Sequence, residues 1–264
     1  TWTSSGGDKN SVIDLPVASI AIELSADAAT KNSEVLLDSL ALTLPKAGTV
    51  IVDDFERRDF SIAFSEPISS IAVGDIDGDD LPDIVVGNSK DGKSALHVIR
   101  NLSDIKTQAI RLQEVSSGVE LTESVAALSL VDVDGDRDLD IVTAMAGQDR
   151  LYLNDGAGHY FDDTLTWMPV DRAAGRSIAV ADMDLDGYPD LLIGNDGSID
   201  RLYLSRQGHG FLDSTPSMPF HSGHTLRFVP ADVDNDGDMD ALLLNAKGEA
   251  AALYVSTEDS TSKN

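Results

Sequence analysis

Four acidic segments of one design hold the side chains best suited to chemistry. They are Asp75-Ile-Asp77-Gly-Asp79-Asp-Leu-Pro-Asp83, Asp132-Val-Asp134-Gly-Asp136-Arg-Asp-Leu-Asp140, Asp182-Met-Asp184-Leu-Asp186-Gly-Tyr-Pro-Asp190 and Asp232-Val-Asp234-Asn-Asp236-Gly-Asp238-Met-Asp240. Each puts carboxylates at positions 1, 3, 5 and 9. Like charges held this close repel one another, and a hard divalent cation relieves the repulsion. Calcium accepts about 6–8 oxygen ligands at about 2.3–2.6 Å in irregular geometry, which suits alternating Asp residues around a tight turn. Magnesium demands a smaller octahedral shell and keeps its waters, so it fits less well. Position 7 (Leu81, Asp138, Tyr188, Asp238) varies in side-chain chemistry, as expected of a ligand offered through the backbone carbonyl. The expectation is about four calcium ions, one per loop.

An EF-hand is the competing explanation, and it fails. That loop needs a Glu at position 12 and a helix on either side. Position 12 here is Val86, Thr143, Ile193 and Leu243. The flanks are runs such as Ile71-Ala-Val73 and Ile84-Val-Val86, or Ser177-Ile-Ala-Val180 and Leu191-Leu-Ile193. Such runs are too short for helices and read as strands. The unit is therefore strand, acidic loop, strand.

The loops start at Asp75, Asp132, Asp182 and Asp232, spacings of 57, 50 and 50 residues. A period near 50 with several short strands per unit points to propeller blades, not to helical solenoids. The third unit predicts strands over Ser177–Ala181, Leu191–Ile193, Arg201–Leu204 and near Phe211–Asp213, with turns at Gly194–Gly197 and Gly208–Gly210. In the second, Arg150-Leu-Tyr-Leu-Asn-Asp-Gly-Ala-Gly-His-Tyr-Phe-Asp162 repeats the third strand, turn and fourth strand.

From Phe60 to Val255 these residues resemble the FG-GAP/VCBS repeat family, whose calcium-loop blades form the head of integrin α chains and recur in secreted bacterial proteins. The resemblance implies an all-β fold, a β-propeller with a calcium loop between the first two strands of each blade. It also implies that the Asp residues named above are calcium ligands. The first copy departs in its second half, where Leu96-His-Val-Ile-Arg-Asn-Leu-Ser103 replaces the aromatic hairpin. The fourth copy stops near Leu253-Tyr-Val255 without an outer strand, and Arg58–Pro67 has the spacing to supply one. Three arrangements follow: a closed ring of four blades, a fifth blade from the N-terminal region, or part of a larger propeller.

The chain divides into an N-terminal β-rich segment (1–57), the repeats (58–256) and a polar tail (257–264). Period-2 alternation in Val17–Leu24, Leu36–Leu44 and Thr49–Val52 predicts half-buried strands in the first segment. It reads as the tail of a preceding domain, a degenerate blade or an assembly segment.

Net charge is −27, from 46 acidic and 19 basic residues. Filling four loops with calcium leaves about −19, and Arg57-Arg58 is an isolated basic pair flanked by acids. That field disfavours nucleic acid and anionic membranes. No 18-residue apolar span is present, so direct membrane insertion is not expected. Such loops fill at extracellular calcium concentrations, and the chain has no Cys, so metal would do the cross-linking. With neither an initiator Met nor a signal peptide, it reads as a mature or excised piece of a secreted or cell-surface protein. Asn101-Leu-Ser103 is a glycosylation sequon in a predicted turn.

Catalytic motifs are missing. There is no G-x-S-x-G elbow, Walker loop, H-E-x-x-H or thiol. His159 and His209 fall in equivalent hairpin turns, and His221-Ser-Gly-His224 lacks helical spacing. Tyr152 and Tyr203 share one strand position in successive units and read as packing between blades; Trp167 is the best exposed aromatic for a ligand. Two function classes remain. One is a non-catalytic, calcium-stabilised extracellular module for adhesion, ligand recognition or assembly, binding a protein or glycan ligand or copies of itself. The other is the propeller of a secreted polysaccharide-active lyase or hydrolase with its catalytic groups in rim loops or another domain. Short inter-blade loops favour the first.

Overall fold

The computed structural model describes residues 62, 64, 66–90, 93–104, 106–107, 109–119, 121 and 123–256. These belong to one compact unit, Phe60–Asn264. The N-terminal strands expected within 1–57, Trp2, the Arg57-Arg58 pair and the tail 257–264 lie outside the described residues, as does most of the closing strand expected over Arg58–Pro67.

Among the described residues this unit contains four antiparallel sheets, each a simple meander. The first contains β1 (Ile68–Gly74), β2 (Asp83–Lys90), β3 (Lys93–Asn101) and β4 (Leu112–Val115). The second contains β5 (Val125–Val131), β6 (Asp140–Met145), β7 (Arg150–Asn154) and β8 (Tyr160–Asp162). The third contains β9 (Gly175–Ala181), β10 (Asp190–Asn195), β11 (Arg201–Ser205) and β12 (Phe211–Asp213). The last has three strands, β13 (Thr225–Ala231), β14 (Asp240–Asn245) and β15 (Ala252–Tyr254). One short helix, α1 (Thr164–Trp167), and a 3-10 turn at Thr215–Ser217 follow the outer strands of sheets two and three.

Register repeats with the sequence. The residue before each acidic loop pairs with the Asp at position 9: Gly74 with Asp83, Val131 with Asp140, Ala181 with Asp190, Ala231 with Asp240. Each loop is thus a closed hairpin turn whose ends are clamped by ladder pairing. The sequence reading missed β4. Its run is short and polar, and a ten-residue connection from Leu102 to Arg111 replaces the tight glycine turn of the other units.

Sheets are joined by apolar seams, each mixing the back of one sheet with the front of the next. Val85 and Val98 of the first sheet pack with Leu128, Ile141 and Tyr152 of the second. Val142 and Leu151 pack with Leu191, Ile193 and Tyr203, and Leu192 and Leu202 with Phe228, Ala241 and Leu243. Tyr152 and Tyr203 are fully buried in these seams, as their shared strand position implied. Burying one large apolar side chain contributes about 1.5–3 kcal/mol, so the seams dominate cohesion. First strands also follow one another, β1 beside β5, β5 beside β9 and β9 beside β13, with no comparable packing of β13 on β1 among the described residues. Among the described residues, no further sheet packs on the back of the last one. Leu242 is 37% exposed where its equivalent Leu192 is 1%, and Leu253 is 44% exposed where Leu202 is 7%.

Candidate metal centres

The four loops share one backbone course even though their glycines differ in place. Positions 4 and 6 have left-handed φ in all of them: Gly78 (73°) and Asp80 (67°), Gly135 (81°) and Arg137 (81°), Leu185 (60°) and Gly187 (91°), Asn235 (63°) and Gly237 (98°). Each loop therefore has one glycine and one side-chain-bearing residue at the two unfavourable positions. The left-handed region costs an L-residue with a β-carbon about 1–2 kcal/mol, less for Asn and Asp. Leu185 has no such relief, and its side chain is largely exposed. Leu185→Gly is expected to raise stability in saturating calcium by about 1 kcal/mol. Chemical denaturation measures it, and an unchanged or lower midpoint contradicts the strain.

Hydrogen bonds then hold the carboxylates in place. The position-1 carboxylate accepts the position-6 N–H through Oδ2 in every loop: Asp80 to Asp75 (2.8 Å), Arg137 to Asp132 (3.0 Å), Gly187 to Asp182 (2.8 Å) and Gly237 to Asp232 (3.1 Å). Position 5 turns one oxygen onto the position-7 N–H: Asp79 accepts from Leu81, Asp136 from Asp138, Asp186 from Tyr188 and Asp236 from Asp238. Position 9 is buried and is bound on both sides. Its Oδ2 takes the position-2 N–H (Ile76, Val133, Met183, Val233), and its Oδ1 takes the N–H of Asn101, Asn154, Ser205 or Ser256 at the end of the third strand. These Asp residues tie the loop to the sheet as well as facing it.

The donor set fits a metal ion. One oxygen each from Asp75, Asp77 and Asp83 lies within 4.8 Å of the others, and so do those of Asp132, Asp134 and Asp136, of Asp182, Asp184 and Asp190, and of Asp232, Asp234 and Asp240. Asp77 Oδ1 is buried with no hydrogen-bond partner, an acceptor in want of a cation. Burial pushes Asp140 up to about 7 and Asp190 up to about 6, against the pull of their two N–H donors. Asp83 is raised for the same reason, and burial with neighbouring carboxylates raises Asp134 and Asp184. A bound cation removes this cost of holding the charged forms. The carboxylates of positions 1, 3, 5 and 9, with the carbonyls of Leu81, Asp138, Tyr188 and Asp238, are the groups that would hold it.

Other singled-out residues fare differently. Asn101 is the last residue of β3, not part of a turn, and its Nδ2 donates to the Pro82 carbonyl (3.1 Å). Trp167 is half-buried against the second seam, so the exposed platform expected there is absent. Its connection folds into α1, of which Trp167 is the last residue. Among the described residues, the exposed aromatics are Phe161 and Phe220. Phe220 borders an open cleft of about 410 Å³ with Arg201, Asp213, Pro216, Met218 and His221. His159 is paired with Asp155, and His209 Nδ1 donates to the Gln207 carbonyl of its own turn (2.9 Å). His221 Nδ1 lies 2.9 Å from Asp200 and His224 contacts Asp196, so the two histidines serve separate carboxylates.

A buried polar cluster escaped the sequence reading. Asp171 accepts both a Nε–H (3.0 Å) and an Nη–H (2.9 Å) from Arg201, and the Tyr203 hydroxyl (3.1 Å). Burial alone would raise Asp171, but Arg201 and the N–H groups of Ala173 and Arg172 outweigh it and hold the carboxyl below its usual range. Asp149 is buried beside it. The recurrence of Asp-Arg-Leu-Tyr-Leu at 149–153 and 200–204 was the available signal.

Sheet, loop and seam together define an all-β repeat protein with a metal-type carboxylate loop in each repeat. Among the described residues, no helix is long and apolar enough to cross a membrane. The FG-GAP-like repeat family matches residues 132–193 and 182–243, and the FG-GAP repeat family matches 68–99. The chain therefore contains FG-GAP and FG-GAP-like repeats. It is also similar to integrin alpha-V of Gallus gallus, 25% identical over an alignment of 167 residues that covers 52% of this chain. It spans 15% of that relative's length.

Proposed function

We propose that this chain is a calcium-stapled, propeller-type extracellular module, without catalysis of its own, that recognises a protein or glycan ligand at the cell surface or assembles with copies of itself. The observation that carries this reading is the fourfold recurrence of one carboxylate cage on one backbone course. A single acidic turn is often only solvated, whereas four in identical register between paired strands are a structural device. Calcium is the ion of choice because the donors are all oxygen and the loops irregular. Likeness to an integrin α chain supports an extracellular place, where calcium is abundant.

Succession of first strand beside first strand, with each sheet's back covered by the next, supports blades arranged about an axis. The open back of the last sheet supports an arc of a larger ring over a closed ring of four. In the cleft by Phe220, His221 and Arg201 are already held by Asp200 and Asp171, which supports a binding role over a catalytic one.

Calcium titration of the full chain tests the loops. Asp182→Ala/Asp184→Ala is expected to remove one ion from the stoichiometry and leave the other sites filled. An unchanged stoichiometry would sink the assignment at that loop.

A further inference from the structure

Arg100 sets the first loop apart from the other three. Ile99, Tyr152, Tyr203 and Tyr254 occupy one register position, each paired with the second residue of its sheet's second strand (Ile84, Ile141, Leu191, Ala241). The next residue is therefore also equivalent, and it is Arg100, Leu153, Leu204 or Val255. Three units are aliphatic there, and the first is cationic. Arg100 Nε lies 3.3 Å from Asp77 Oδ2, the position-3 carboxylate of the first loop. The guanidinium also donates to the Ala157 carbonyl, in the β7–β8 turn of the next unit. Gly158 leaves it room, since a Cβ there would stand 2.8 Å from Arg100 Nη2.

We propose that Arg100 is a tethered cation that competes with the divalent ion at the first loop and makes it the weakest calcium site of the four. This rests on the calcium reading of the loops. With Oδ2 facing the guanidinium, Asp77 has only Oδ1 to offer a metal, and that atom is the buried oxygen without a hydrogen-bond partner. A guanidinium cannot shed its proton in a protein, so its repulsion of a doubly charged ion persists at every working pH. Arg137, at position 6 of the second loop, is exposed and makes no ion pair among the described residues, so it does not play this part. Because Arg100 also spans to Ala157, filling the first loop bears on the junction between the first and second sheets. That junction thus responds at higher calcium than the rest.

Calorimetric calcium titration of the full chain, at low ionic strength, tests this. The wild type is expected to show one step at least tenfold weaker than the others, and Asp75→Ala/Asp77→Ala should abolish that step. Arg100→Leu, and Arg100→Gln, which keeps a donor for Ala157 without the charge, should each tighten the weak step about tenfold and leave the tight steps unmoved. The proposal is overturned if both Arg100 variants leave the weak step where it was, or if the weak step is lost with Asp182→Ala/Asp184→Ala instead. If neither double substitution changes the stoichiometry, the calcium reading itself falls, which is distinct from unchanged Arg100 variants in a chain that binds ions.

Discussion

Stripping calcium from the full chain with excess chelator is expected to lower the thermal midpoint by roughly 20 °C or more. An ion bound only by the folded state at about a hundred times its dissociation constant contributes about 2.7 kcal/mol. Four such sites come to about 11 kcal/mol, comparable with the whole stability of a typical domain. The geometry explains why the seams do not make up the loss. Without a cation, each loop keeps three carboxylate oxygens within 4.8 Å of one another. In the first, third and fourth loops that trio includes the Asp at position 9, which is buried and tied to two backbone N–H groups, so it cannot swing away. Above the pH at which these acids take up protons, opening the hairpin relieves the repulsion, and opening exposes the seam beneath. Light scattering on the same samples should show the chelated chain expanding, and magnesium should restore less than calcium. A midpoint that moves by no more than a few degrees would show that the cages are not stapled by metal.

Much of this was legible because the sequence repeats itself. One acidic loop and two flanking runs fixed strand pairing in all four sheets, since position 9 must meet the residue before position 1 for the hairpin to close. Tyr152 and Tyr203 could be placed in seams because a large aromatic recurring at one strand position has only the neighbouring sheet to meet. What escaped was whatever departs from the repeat. β4 has no periodic signature, and its long connection hid it. Trp167 ends a four-residue helix too short to leave a pattern. Asn101 reads as a turn residue by composition, yet it ends a strand because Asp83 takes its N–H. The backbone of positions 4 and 6 was equally hidden, as the glycine moves between them and only the φ angles show both to be left-handed.

The second large effect concerns a carboxyl that no loop uses, and it comes from comparing two equivalent positions. Asp149 and Asp200 open the same Asp-Arg-Leu-Tyr-Leu run, and each accepts an N–H at the end of the preceding strand (Met145, 3.1 Å; Asn195, 2.7 Å). Asp200 also receives the Thr225 hydroxyl (2.8 Å) and faces His221 (2.9 Å). Beside Asp149 the residue in Thr225's place is Gly175, and the one in His221's place is Asp171. Burial therefore pushes Asp149 up to about 7, opposed by the Met145 N–H, reinforced by Asp171 and partly offset by Arg201. A folded-state value above the unfolded one contributes stability that is complete below about pH 4 and is lost as pH rises through 7. The full span corresponds to about 4 kcal/mol, with about 2–4 kcal/mol expected in practice. Asp149→Asn keeps an acceptor for Met145 and has no charge to bury. In saturating calcium, which takes the loop carboxylates out of the titration, the variant should match the wild type near pH 4, and the gap should widen from there to about pH 7. At pH 8.5 it should unfold roughly 5–10 °C higher, at about 2–4 °C per kcal/mol for a chain of this size. Parallel stability profiles from pH 4 to 8.5 would show that Asp149 is ionised throughout and that Arg201 neutralises both acids.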